Sequence, residues 1–215
     1  MATDAVAHVT RARRAALLHG IYAIVDDGER TLALAQAALD ARVRLVQYRA
    51  KNGLDAPRLQ RLREMTRQCG ALLILNDDWR AARTFDCDGV HLGPGDDGYA
   101  HPSAVRAALP ECIVGLSCGT PEEVRSALPD EVDYLGIGSV FATASKADAG
   151  APLGIAGLRE LVVPAPLPVA AIGGISAENL ADVRATGVAM AAVISALSRA
   201  AQPRDAAREL VARWG

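Results

Sequence analysis

The sequence predicts an α/β protein of the (β/α)8 TIM-barrel class, with an extra N-terminal helix ahead of the barrel. Three observations point there. Eight short apolar runs alternate with helical patterns from end to end of the 215-residue chain. Several of these runs are almost continuously apolar, as parallel strands covered on both faces should be. The length suits one α/β domain better than two. A doubly wound sheet is the alternative, but it would need fewer strands than eight. The expected organisation is a helical extension over 1–19 and a single barrel over 20–215.

The opening MATDAVAHVTRARRAALLHG has an acidic start and a basic, amphipathic middle. It lacks the basic start, apolar block and cleavage site of a signal peptide, and reads as the extra helix. IYAIVD (21–26) is the first strand, followed by the helix RTLALAQAALDA. RLVQYR (44–49) is the second, followed by PRLQRLREMTRQCG, whose final Gly is a common helix stop. ALLILND (71–77) and GVHLG (89–93) are the third and fourth, with DWRAA between them as a helix start. CIVGLS (112–117) and DYLGIGSV (133–140) are the fifth and sixth. HPSAVRAAL precedes the fifth and TPEEVRSAL the sixth, each opening on helix-start residues. IAGLRELV then leads to PVAAIGGI (168–175), and SAENLADVRATG to MAAVIS (190–195). PRDAARELVARW closes the chain as a helix.

Bulk properties narrow the function. A net charge of −2 gives no electrostatic case for nucleic acid or an anionic membrane. The longest apolar run, VAMAAVISAL, is too short to span a bilayer. Cys69, Cys87, Cys112 and Cys118 show no C-x-x-C spacing, so neither zinc nor a redox pair is indicated. They read as small buried hydrophobes in a reducing cytosol.

In such a barrel the active site forms where the strands end. Those ends carry Asp26, Asp27, Gln47, Arg49, Lys51, Asn76, Asp77, Asp96, Asp97, Ser117, the run Thr143 to Lys146, Gly173, Gly174 and Ser195. Both of the chain's lysines, Lys51 and Lys146, fall on this rim, against 21 arginines elsewhere and at Arg49. A lysine is a compact point charge that can follow a phosphate or, if desolvated, act as a nucleophile.

Asp77 and Asp96 follow adjacent strands, and their carboxylates could converge on Mg2+, which leaves most positions to water and substrate phosphates. They could equally be helix caps or solvated charges. Arg49, Lys51 and Lys146 would form a positive clamp opposite the cation, the arrangement expected around a leaving pyrophosphate. The Gly173-Gly174 pair and Ser195, after strands seven and eight, suggest a second phosphate. His91 lies within a strand and reads as a hydrogen-bonded structural histidine. No Ser-His-Asp or Cys-His arrangement has supporting context.

These motifs resemble one family. QYRAK, LNDDWRAA, GVHLGPGD, VGLSC, DYLGIGSVFATASK and AIGGIS, in this order at matching strand ends, are similar to thiamine-phosphate synthases. The resemblance implies a small-molecule enzyme. It joins hydroxymethylpyrimidine diphosphate to a thiazole phosphate by dissociative displacement of pyrophosphate. It implies Mg2+ on Asp77 and Asp96, and the pyrimidine diphosphate on Gln47, Arg49, Lys51, Asn76, Ser117 and Lys146. The thiazole phosphate would fall to Thr143, Ser145, Gly174, Ile194 and Ser195. Lys146, Arg49 and Ser117 are the groups expected to act in the step itself. Pro94, Ser139, Ala142 and Ser145 depart from the family's usual residues, as does Cys118-Gly119, and these concern the shape of the pyrophosphate pocket. The alternatives are a thiazole tautomerase or regulatory paralogue, a Schiff-base aldolase using Lys146, and a non-enzymatic phosphate binder. Oligomeric state is not legible in the sequence.

Overall fold

The computed structural model describes residues 10–143 and 150–215. Its eight strands are β1 (Gly20–Asp26), β2 (Leu45–Arg49), β3 (Leu72–Asn76) and β4 (Gly89–Leu92), then β5 (Ile113–Cys118), β6 (Tyr134–Ile137), β7 (Val169–Ile172) and β8 (Met190–Val193). They pair in chain order, all parallel, and β8 closes on β1 through Tyr22↔Ala192. The predicted class is therefore the observed one.

Alternation along each strand sorts the core into two parts. Tyr22, Ile24, Leu45, Ile74, Ile113, Tyr134 and Met190 fill the barrel. Ile21, Ala23, Val25, Val46, Leu73 and Leu75 pack outward with the helices. The helices follow familiar stop and start signals. α3 (Ala56–Cys69) is capped by Asp55 and ends on Gly70 in the left-handed region, and α6 (Pro121–Ser126) opens with a Thr120/Glu123 capping box.

Several strand ends were expected to run longer. β6 stops at Ile137, β7 at Ile172 and β8 at Val193, rather than at 140, 175 and 195. The chain leaves β6 and runs on beside the end of β7, where the N–H groups of Val140 and Phe141 bond to the carbonyls of Ile172 and Gly173. Ser195 opens a short helix, α9 (Ser195–Ser198), instead of ending a strand.

At the opposite end, α1 (Arg11–Ala15) docks on residues that precede strands. Asp88 is clamped by Arg14 (3.2 Å) and Arg63 (2.5 Å), and accepts from the Leu73 N–H. Asp133 is held likewise by Arg11 (2.6 Å) and Arg106 (2.5 Å), and accepts from the Val114 N–H. Each buried carboxylate is thus both paired and hydrogen-bonded, which offsets its desolvation. Among the described residues, no helix is long and apolar enough to cross a membrane.

Candidate active site

The C-terminal ends of the strands surround a cavity of about 370 Å³. Gln47, Arg49, Lys51, Asn76, Asp77, Asp96, Ser117, Thr143, Gly174, Ile194 and Ser195 all line it. Ser145 and Lys146 lie outside the described residues. Parity explains the grouping on β2: Gln47 and Arg49 point to the same side, and Lys51 continues the series beyond the strand.

For Asp77 the helix-cap reading is excluded by its neighbour. α4 (Trp79–Thr84) is capped by Asp78, whose carboxylate accepts the Ala81 N–H at 2.9 Å. Asp77 is left to turn into the cavity, its backbone held at φ 69°. Lys51 Nζ sits 3.0 Å from Asp77 Oδ2. Asp96 faces Asp77, and its Oδ2 accepts the Gly93 N–H at 2.6 Å. Burial first, and then the Asp77 carboxylate, push Asp96 up to about 6, against the pull of the Gly93 N–H and Lys51.

Two crowded carboxylates with hard oxygen donors fit a divalent cation such as Mg2+. Among the described residues no group of three or more His, Cys, Asp or Glu is placed to hold a metal. Arg49 is steadied from behind by Asp26, with Nε 2.5 Å from Oδ1. Asp27 accepts from the Tyr48 hydroxyl and from Arg58, which together hold its carboxyl below the usual range.

The glycine pair has a structural reason beyond phosphate approach. Gly174 has φ +66°, and a Cβ there would lie 2.7 Å from Phe141 Cβ and 2.8 Å from the Ala142 carbonyl. It is the seat for the segment that brings Thr143 to the mouth. Asn179 fixes the turn, donating to the Gly174 carbonyl at 3.0 Å and accepting from the Ser176 N–H.

Tyr22 and Tyr134 went unremarked in the sequence, yet both line the cavity floor. Their hydroxyls are 2.9 Å apart. His91 is hydrogen-bonded, as expected, to Tyr134 through Nδ1 (2.9 Å) and to Ser117 through Nε2 (3.0 Å), but it also faces the cavity. The available signal was parity: Tyr22 and Ile24 share a face, so a polar tip among inward apolar residues points at a site. The far wall is apolar, with Ile172 from β7 and Ala192 from β8.

The chain is similar to known proteins over most of its length. The profile of the family described as "Thiamine monophosphate synthase" matches residues 21–197. A "Thiamine-phosphate synthase" of Moorella thermoacetica is 43% identical over 187 residues, covering 85% of this chain and 88% of its own. One from Archaeoglobus fulgidus is 45% identical over 199 residues, covering 89% and 91%. Among solved structures, "Thiamine phosphate pyrophosphorylase" from Pyrococcus furiosus superposes with a TM-score of 0.81. It is 34% identical and covers 92% of this chain and 96% of its own. The chain belongs to the thiamine monophosphate synthase family.

Proposed function

We propose that this protein is a thiamine-phosphate synthase, joining hydroxymethylpyrimidine diphosphate to 4-methyl-5-(2-phosphooxyethyl)thiazole with release of pyrophosphate. The observation that carries this is the meeting of Arg49, Lys51, Asn76, Asp77 and Asp96 on one wall of a single cavity. Such a wall suits a leaving group of several negative charges.

In the reaction the bond from the pyrimidine methylene to the diphosphate oxygen breaks and its electron pair leaves with pyrophosphate. The thiazole nitrogen supplies the pair for the new C–N bond. Asp77 and Asp96 would hold Mg2+, which supplies Lewis-acid charge to the departing phosphate. Arg49 and Lys51, with Lys146, would neutralise the remainder, and Asn76, Gln47 and Ser117 would orient the pyrimidine diphosphate. Thr143, Ser145, Gly174, Ile194 and Ser195 would take the thiazole phosphate. The apolar wall at Ile172 and Ala192 would keep water from the cationic carbon. No covalent nucleophile is required. Four free cysteines and no membrane-length helix among the described residues support a place in the reducing cytosol.

The test is to mix the purified protein with both substrates and Mg2+ and measure pyrophosphate and thiamine phosphate. Equal amounts of the two are expected. Isomerisation of the thiazole alone, without pyrophosphate, would support the tautomerase reading instead.

A further inference from the structure

Five residues from five strands form one hydrogen-bonded chain across the cavity floor. Gln47 Nε2 donates to Tyr22 Oη at 2.8 Å, and Tyr22 Oη lies 2.9 Å from Tyr134 Oη. Tyr134 Oη is 2.9 Å from His91 Nδ1, and His91 Nε2 is 3.0 Å from Ser117 Oγ. Glycines make room for it. A Cβ on Gly115 would lie 2.1 Å from Tyr134 Cζ, and one on Gly136 would lie 2.8 Å from His91 Cε1. The His91 and Tyr134 rings stack in that space, 5.5 Å between centroids and 25° between planes.

Counting protons sets the direction. Both phenols are buried, and burial raises both far above the usual tyrosine range, so each keeps its one proton. The Gln47 amide N–H can only donate, so Tyr22 must pass its proton to Tyr134. Tyr134 in turn must donate to His91 Nδ1. A hydrogen on Nδ1 would instead face that of Tyr134, and a buried donor would go unpaired. The imidazole then carries its single proton on Nε2 and donates to Ser117 Oγ.

We propose that Gln47 sets the polarity of this chain, and that Tyr22, Tyr134 and His91 are positioning residues holding the Ser117 hydroxyl as a hydrogen-bond donor toward the cavity. The consequence for catalysis rests on the functional reading above. A donor in that position can meet negative charge as it develops on the departing diphosphate, and needs no reorientation to do so. An acceptor there would oppose it.

Two measurements test this. In ¹⁵N-histidine NMR of the ligand-free protein, with His91 assigned through His91→Asn, the Nε2–H tautomer is expected at neutral pH. In Gln47→Glu the carboxylate accepts from Tyr22, and every bond in the chain should reverse, leaving His91 protonated at Nδ1. An Nδ1–H tautomer in the unaltered protein, or no switch in folded Gln47→Glu, overturns the proposal. The second measurement is a kinetic cycle that needs no change at the amide. Tyr134→Phe should lower kcat by about tenfold in the presence of Ser117 and by less than about twofold in Ser117→Ala. Equal losses in both backgrounds overturn the positioning role. If the unaltered protein makes no thiamine phosphate, the functional reading fails while the tautomer measurement still decides the polarity.

Discussion

Gly115 on β5 lies directly beneath the ring of Tyr134 on β6: a methyl group on its α-carbon would sit 2.1 Å from Cζ and 2.5 Å from the hydroxyl oxygen. Backbone and ring touch because Tyr134 points into a barrel already occupied by Tyr22, whose ring meets it edge-on at 5.9 Å. The glycine is therefore a packing requirement, and the polar chain on the cavity floor depends on it. Gly115→Ala should cost about 1–3 kcal/mol of stability, the range for an overpacked core. Urea unfolding of Gly115→Ala, Tyr134→Leu and the double variant checks this. The double should lose clearly less than the sum of the singles; strict additivity would mean the two residues do not collide.

The acidic pair predicts a cation-dependent enzyme. Asp96→Asn keeps an oxygen to accept the Gly93 N–H, so the turn that it braces should survive. The lost charge should weaken Mg2+ binding in calorimetry and lower turnover by about a hundredfold or more, the scale of one lost electrostatic stabiliser. Full turnover in excess chelator would remove the cation from the mechanism.

Lys146 carries a prediction from the sequence alone. If it joins Arg49 and Lys51 at the pyrophosphate, Lys146→Ala should lower kcat by about a hundredfold or more, and Lys146→Arg should recover only part. A Schiff-base role predicts instead a borohydride-trapped adduct at Lys146. Unchanged kinetics in Lys146→Ala would place this lysine outside the reaction.

Gly174→Ala tests the second phosphate position. The new Cβ meets Phe141 and the Ala142 carbonyl, in a backbone conformation that alanine disfavours. The segment carrying Thr143 should shift, raising the KM for thiazole phosphate several-fold more than that for pyrimidine diphosphate. A melting temperature is needed alongside, because some stability is lost as well. Equal weakening of both substrates would reassign the pocket.

The four tyrosines predict an alkaline limit. Burial raises Tyr48 and Tyr99 to about 12, and Tyr22 and Tyr134 higher still. Unfolded, each would ionise near about 10. Above that pH the unfolded chain sheds protons that the native protein retains, so stability should fall from about pH 10 upward and be complete below it. Ultraviolet titration of the native protein should show almost no tyrosinate at about pH 10.5, with all four appearing together on unfolding. Stepwise ionisation of Tyr22 or Tyr134 in the native state would contradict their burial.

The barrel was legible because its signals are local. Alternating apolar runs and helix caps at Asp55, Thr120 and Gly70 act within a few residues, and eight strand–helix repeats leave few other ways to close a sheet. Strand ends were less legible, since the segment after β6 is held on the end of β7 by bonds from Val140 and Phe141 to Ile172 and Gly173, contacts between residues far apart in sequence. Asp77 and Asp96 could be named as a pair from their places after β3 and β4. That Asp78 rather than Asp77 caps α4 could not, because both neighbouring aspartates can cap a helix.

By itself, then, the sequence determined the fold class, the rim on which chemistry collects and most of the side chains there, because strand parity and order around a barrel are set by the backbone's own periodicity. Only the tertiary structure decided which of these groups touch. Tyr22, Gln47, His91, Ser117 and Tyr134 come from five strands, and nothing local in any of them reveals the others. Their chain exists because closing the barrel points these side chains into one enclosed floor, where each buried polar atom must find its partner on another strand.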